Sequence, residues 1–161
     1  AQTLKPRDAK AQALSRLVDY SNAEVAPCAM GAYENRLGGR VCVAGYFPWT
    51  FQHSLSKSAQ VKAVMRWLSK DQVPAYVASF HKINLWVREP DGSGVAMALT
   101  NSCLDAARDV TLLVRTDRDR LRVFDMNGTE TEVRASGSDG PYRKFVLPAI
   151  EPWHMRLAVT K

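Results

Sequence analysis

Lys82-Ile83-Asn84-Leu85-Trp86-Val87-Arg88 decides how this chain is read. Apolar residues recur at every second position, so Ile83, Leu85 and Val87 share one face and Trp86 takes the other. That is the period of a strand with one buried face, and a helix does not produce it. Glu89-Pro90-Asp91-Gly92-Ser93-Gly94 follows as a turn. Beyond it, strands are expected over residues 95–101, 109–116, 120–124, 129–133, 142–147 and 153–160. Asn127-Gly128 between two of them predicts a two-residue type I′ hairpin, which needs positive φ at both central positions. Seven strands at short spacing predict an antiparallel β-sandwich over residues 77–161.

Upstream, residues 1–76 read as a strand-rich junction segment with one helix, so the fold class is mainly β. Ala1 to Lys10 is polar and is read as loose. Strands are expected over 13–19 and 23–33, the second interrupted by Pro27, which predicts an edge or a bulge. Leu37-Gly38-Gly39 is a turn, and residues 40–46 have the most buried-looking pattern of this half. Phe47 to His53 is a loop. A helix is expected over 58–70, capped by Ser56 or Ser58 and stopped by Pro74. Val61, Val64, Met65 and Leu68 form its apolar face, with Lys62, Arg66 and Lys70 on the other side.

The chain has 161 residues, 46% hydrophobic and 24% charged, which is globular composition and argues against disorder. No apolar run approaches the ~18 residues of a membrane span, so no membrane partner is expected. The net charge of +6 is spread along the chain. With no basic stripe, no nucleic-acid partner is expected. Three cysteines, Cys28, Cys42 and Cys103, cannot all pair internally and include no C-x-x-C. They read as small apolar residues, with a Cys28–Cys42 bond open if their strands are neighbours. His53, His81 and His154 have no ligand-like spacing to them, so no metal site is expected.

Chemistry-bearing patterns are sparse. Asp91, Asp105, Asp117, Asp119, Asp125 and Asp139 sit in turn contexts, and Glu130 and Glu132 share a solvent-facing side of a hairpin strand. Nothing selects a carboxylate pair for glycoside cleavage. Leu37-Gly38-Gly39-Arg40 precedes a strand, whereas a phosphate loop leads into a helix, so no cofactor is expected. Arg115, Arg118, Arg120 and Arg122 alternate with Asp117 and Asp119 and read as a salt-bridged surface turn. Asn127-Gly128-Thr129 matches a glycosylation sequon, which the hairpin turn equally explains. The candidate binding residues are Trp49, Phe51 and His53 in the aromatic loop, and Trp86. Exposed, they would stack a sugar or a partner's side chain. The plainer expectation is that the loop aromatics plug the join between the two parts, and that Trp86 and Trp153 pack in the sandwich core.

Glu34-Asn35-Arg36-Leu37-Gly38-Gly39-Arg40-Val41-Cys42-Val43-Ala44-Gly45-Tyr46-Phe47-Pro48-Trp49 resembles an N-x-LGGRVAV-x-GY-x-PW segment. Arg66-Trp67-Leu68-Ser69, Leu147-Pro148, Pro152 and Trp153 continue the likeness. Together they resemble the C-terminal region of large bacterial glycoside hydrolase-like proteins related to the β-galactosidase clan, over residues 13–160. The resemblance implies a (β/α)8 catalytic barrel first, often a flavodoxin- or amidotransferase-like middle domain, and a terminal β-sandwich. The family's two catalytic carboxylates are expected on the barrel, which this chain lacks, so no catalytic residue carries over. The chain is therefore expected to be no enzyme itself but an accessory domain. Its expected partners are the upstream domains of its parent and a second copy of itself. The alternative is a carbohydrate-binding module.

Overall fold

The computed structural model describes residues 2–8, 10–48, 54–89 and 94–160. The chain forms two compact units, Ala1–Asp71 and Gln72–Lys161.

The first unit holds β1 (Gln12–Val18), β2 (Glu24–Glu34), β3 (Arg40–Ala44) and α1 (Leu55–Leu68). The strands form an antiparallel sheet in the order β1-β2-β3. Leu17 pairs with Ala26 and Ser15 with Met30, so β2 spends extra residues around Pro27. This is the expected irregularity, placed where a residue without an N–H does least harm. The most buried strand is β2, not residues 40–46: Ala26, Cys28, Ala29, Met30 and Ala32 are buried, whereas β3 is mostly half-buried. A central strand is covered along both edges, and β3 lies at the rim.

The helix starts earlier than expected, with Ser54 as its N-cap residue, and no side chain caps it. It also ends before Pro74 acts. Lys70 and Asp71 take left-handed φ values of 54° and 57°. The Lys70 N–H donates to the Trp67 carbonyl at 3.1 Å, and the Asp71 N–H to the Arg66 carbonyl at 2.9 Å. These are the paired bonds of a Schellman ending, built without its usual glycine. Lys62 and Arg66 are half-buried rather than solvated, and Met65 is exposed. Burial pulls the Lys62 ammonium below its ordinary pKa. β3 and α1 are also tied by Arg40, whose guanidinium lies 5.1 Å over the Trp67 ring and donates to the Trp67 carbonyl at 2.7 Å.

All three cysteines are free, Cys28 buried and the others half-buried. Their strands are neighbours, but Cys42 faces Ala32. Cys28 is displaced four residues along β2, roughly 13 Å, well outside the reach of a disulfide.

The second unit is a two-sheet antiparallel sandwich. One sheet runs β10 (Gly137–Asp139), β11 (Tyr142–Leu147), β7 (Val110–Arg115), β4 (Ala75–Val77). The other runs β5 (Ile83–Arg88), β6 (Ala96–Asn101), β12 (Met155–Thr160), β8 (Arg120–Phe124), β9 (Glu130–Arg134). Among the described residues nine strands replace the seven expected, because β4 and β10, of three residues each, are added. Met97, Leu99, Leu121, Val123 and Ala158 from one sheet meet Ala75, Val77, Val110, Leu112, Val114, Phe145 and Leu147 from the other. Ile83, Leu85 and Val87 pack against this core, as their alternation predicted.

The hairpin between β8 and β9 has the expected partners but a different turn. The Asp125 N–H donates to the Thr129 carbonyl and the Gly128 N–H to the Asp125 carbonyl, both at 3.1 Å. Only Gly128 has positive φ, 81°. This is a three-residue loop, a type I turn closed by a left-handed residue, in place of the type I′ turn.

Candidate functional site

Alternation on the five-stranded sheet sorts its side chains into a core face and an outer face. Register then places the outer residues in rows. Trp86 faces Ala98, Ala98 faces Leu157, Leu157 faces Phe124, and Phe124 faces Glu130. The row is apolar until its last member. Beside it, Asn84 faces Thr100, and Thr100 faces Met155. Trp86 is 72% exposed and Leu157 44%. The core-packing expectation for Trp86 is therefore wrong: its indole lies on the exposed outer face of the sheet.

Ala98 opposite Trp86 offers only a methyl, so the indole stands above its neighbours. Asn84, Leu85, Trp86 and Thr100 line a shallow depression of about 390 Å³ there. The Asn84 amide donates to the Ser102 hydroxyl at 2.8 Å, which fixes its orientation at the rim. At the far side the charges neutralise one another. Arg122 makes two bonds to Glu130, at 2.8 and 2.6 Å, and lies 5.1 Å over the Phe124 ring. Arg120 reaches Glu132 at 2.9 Å. Glu130 holds the Arg122 guanidinium above its already high pKa. These diagonal pairs, more than Asp117 and Asp119, engage the arginine cluster. Glu130 and Glu132 are thus cross-strand ion-pair partners rather than simply solvent-facing.

One end of the sandwich is organised by a residue the sequence reading passed over. Asn101 is 1% exposed. Its amide donates to the carbonyls of Asp105 and Ile150, both at 2.8 Å. Its side-chain oxygen accepts from the Cys103 N–H at 3.0 Å. Its backbone accepts from the Trp153 N–H at 2.9 Å and donates to the His154 carbonyl at 3.0 Å. Asn101 thereby fastens residues 102–105 to residues 150–154. Each of these loops lifts a large apolar side chain into solvent, Leu104 at 80% and Trp153 at 66% exposed. Trp153 is not a core residue. It follows Pro152 in a turn closed by the His154 N–H on the Glu151 carbonyl, and its φ is 61°. A type II turn prefers glycine or asparagine there, and a bulky residue in that region is strained.

Of the four candidates, Trp86 lies on this sheet face, and Trp49, Phe51 and His53 lie outside the described residues. Among the described residues, no three His, Cys, Asp or Glu side chains gather as metal ligands. No helix among them is long and apolar enough to cross a membrane.

No protein-family model and no curated protein matches the chain. A solved structure does. The alpha-L-fucosidase isoenzyme 2 from Paenibacillus thiaminolyticus superposes with a TM-score of 0.51 at 17% sequence identity, over 87% of this chain and 23% of that one. The chain thus spans less than a quarter of that glycoside hydrolase, and what the two share is a fold.

Proposed function

We propose that the chain is a non-catalytic accessory domain of a glycoside hydrolase-like protein related to the β-galactosidase clan. The observation that carries this reading is the fold shared by most of this chain with a minor part of a much larger glycoside hydrolase. In this reading the catalytic carboxylates belong to a barrel elsewhere in the parent. The role of residues 1–161 is mechanical: to pack against the catalytic part and hold its orientation.

The loop end of the sandwich suits that role. Ile83 pairs with Asn101, Val110 with Leu147 and Ala107 with Ile150, so residues 78–82, 102–109 and 148–154 emerge together. Phe80, Leu104 and Trp153 are exposed on them, at 47%, 80% and 66%. Large apolar groups held out by a buried asparagine and a strained turn favour association over solvation. A hydrolase assay on aryl glycosides tests the reading. The 161-residue chain alone is expected to give no turnover, and the intact gene product to give turnover that falls when residues 72–161 are deleted. Turnover by the isolated chain, or an inactive intact product, removes the proposal.

A further inference from the structure

We propose that the depression beside Trp86 is a carbohydrate subsite that takes the ring of a pyranose within a glycan. This inference does not depend on the accessory reading. Aromatic stacking needs an open ring face, and Trp86 supplies one, 72% exposed on a rigid strand with only Ala98 opposite. One side of a pyranose is a flat array of C–H bonds, the apolar surface an indole accepts, while its hydroxyls point outward around the ring edge. Those hydroxyls need donors and acceptors at the rim, and Asn84 and Thr100 stand there. Ser102 already orients the Asn84 amide, so little ordering entropy is lost on binding. The depression, about 390 Å³, is of small-ligand size.

Asn84 and Thr100 offer uncharged hydrogen-bonding groups, and Arg88 stands two residues beyond Trp86 on the same exposed face of β5, so the surface is not restricted to neutral sugars. A protein partner fits this surface less well. An interface core is continuous and depleted of charge. Here the indole is flanked by alanine, asparagine, threonine and Arg88, and the outer half of the face is crossed by the Arg122–Glu130 and Arg120–Glu132 pairs. Because β5 is an edge strand, a long chain of sugars can enter from the side and pass over Trp86.

The test titrates the chain with hexaoses of β-1,4-linked glucose, xylose, mannose and galactose, by calorimetry and by the indole N–H resonances. Saturable binding to at least one is expected, with the Trp86 resonance shifting most. Trp86→Ala is expected to weaken binding by at least about tenfold, Trp86→Tyr to retain most of it, and Trp153→Ala to leave it unchanged. If Trp86→Ala disturbs the fold, the resonance shifts of the unaltered chain decide alone. Binding to none of the four overturns the proposal, as does binding that Trp86→Ala leaves intact. It is also overturned if Trp86→Ala changes only the chain's sedimentation, which would make this face a protein interface.

Discussion

Asn101 shows how one side chain can set the shape of a whole end of a domain. A buried amide is tolerated only when its hydrogen-bonding groups are met. Here both its oxygen and its amide nitrogen are engaged, the latter twice, and every partner is backbone. Asn101→Ala leaves the Asp105 carbonyl and the Cys103 N–H without this partner. The Ile150 carbonyl keeps its bond from the Ala107 N–H, at 2.9 Å. The expected loss is about 2 kcal/mol, from two part-buried bonds and one buried one whose acceptor keeps a partner, since water can reach the freed groups. Urea denaturation should register it as a lower midpoint at unchanged m-value. A loss under about 1 kcal/mol would mean the loops hold without the clamp. Little in the sequence marks this residue: it is a lone amide at the end of an apolar strand, with Cys103 and Asp105 two and four residues on, and only the fold brings Ile150 to it. Trp153 escapes the sequence because it sits in a turn ahead of β12, and for Trp86 the limit is alternation itself. Alternation says which side of a sheet a residue takes, but not whether anything covers that side.

At the scale of elements, three hairpins reuse one turn. Asp19, Asn35 and Asp125 each open a loop whose fourth residue is left-handed: Asn22 at φ 63°, Gly38 at 75° and Gly128 at 81°. In each, the side-chain oxygen accepts N–H groups two and four residues on, all at 2.8 or 2.9 Å. The two aspartates add a pH dependence. The Ser21 hydroxyl and the Ala23 N–H hold the Asp19 carboxyl below its ordinary pKa. The Thr129 and Asn127 N–H groups do the same for Asp125, helped by Arg156. A folded pKa below the unfolded one gives stabilisation that is complete above about pH 4 and is lost as pH falls through the folded value. The melting temperature should therefore drop on acidification from about pH 4 downward. The Asp19→Asn, Asp125→Asn double variant should flatten that limb, since an amide oxygen accepts the same bonds without titrating. Thermal melts across the acid range decide it, and an unchanged slope would exclude these carboxylates as a cause. The strands these turns join were legible from alternation. The turn itself was not, because Asn-Gly suits both a type I′ loop and the closing half of this one. Three-residue strands such as β4 and β10 are too short to show a period at all.

At the scale of the whole molecule, the sandwich was legible because most of its strands alternate cleanly, whereas the first unit was readable only in outline. Val41 and Val43 lie on β3 with Tyr33 opposite Val41, and Tyr33 and Val43 remain exposed at 38% and 46%. Together with Leu104 and Trp153, such surface predicts self-association when the chain is studied alone. Light scattering over a wide concentration range should show a mass rising from one chain toward two. A constant monomer mass would sink this expectation.

The ion-paired strand β9 limits how far such association through the five-stranded sheet can go. Glu130, Glu132 and Arg134 make that edge a poor template for a further strand, while β5 at the opposite edge alternates apolar residues with Asn84 and Trp86. A sheet guarded on one side and open on the other cannot polymerise edge to edge. Two copies meeting through β5 would use up both open edges and close on a twofold axis, so assembly by this route terminates at the dimer instead of running on into fibrils.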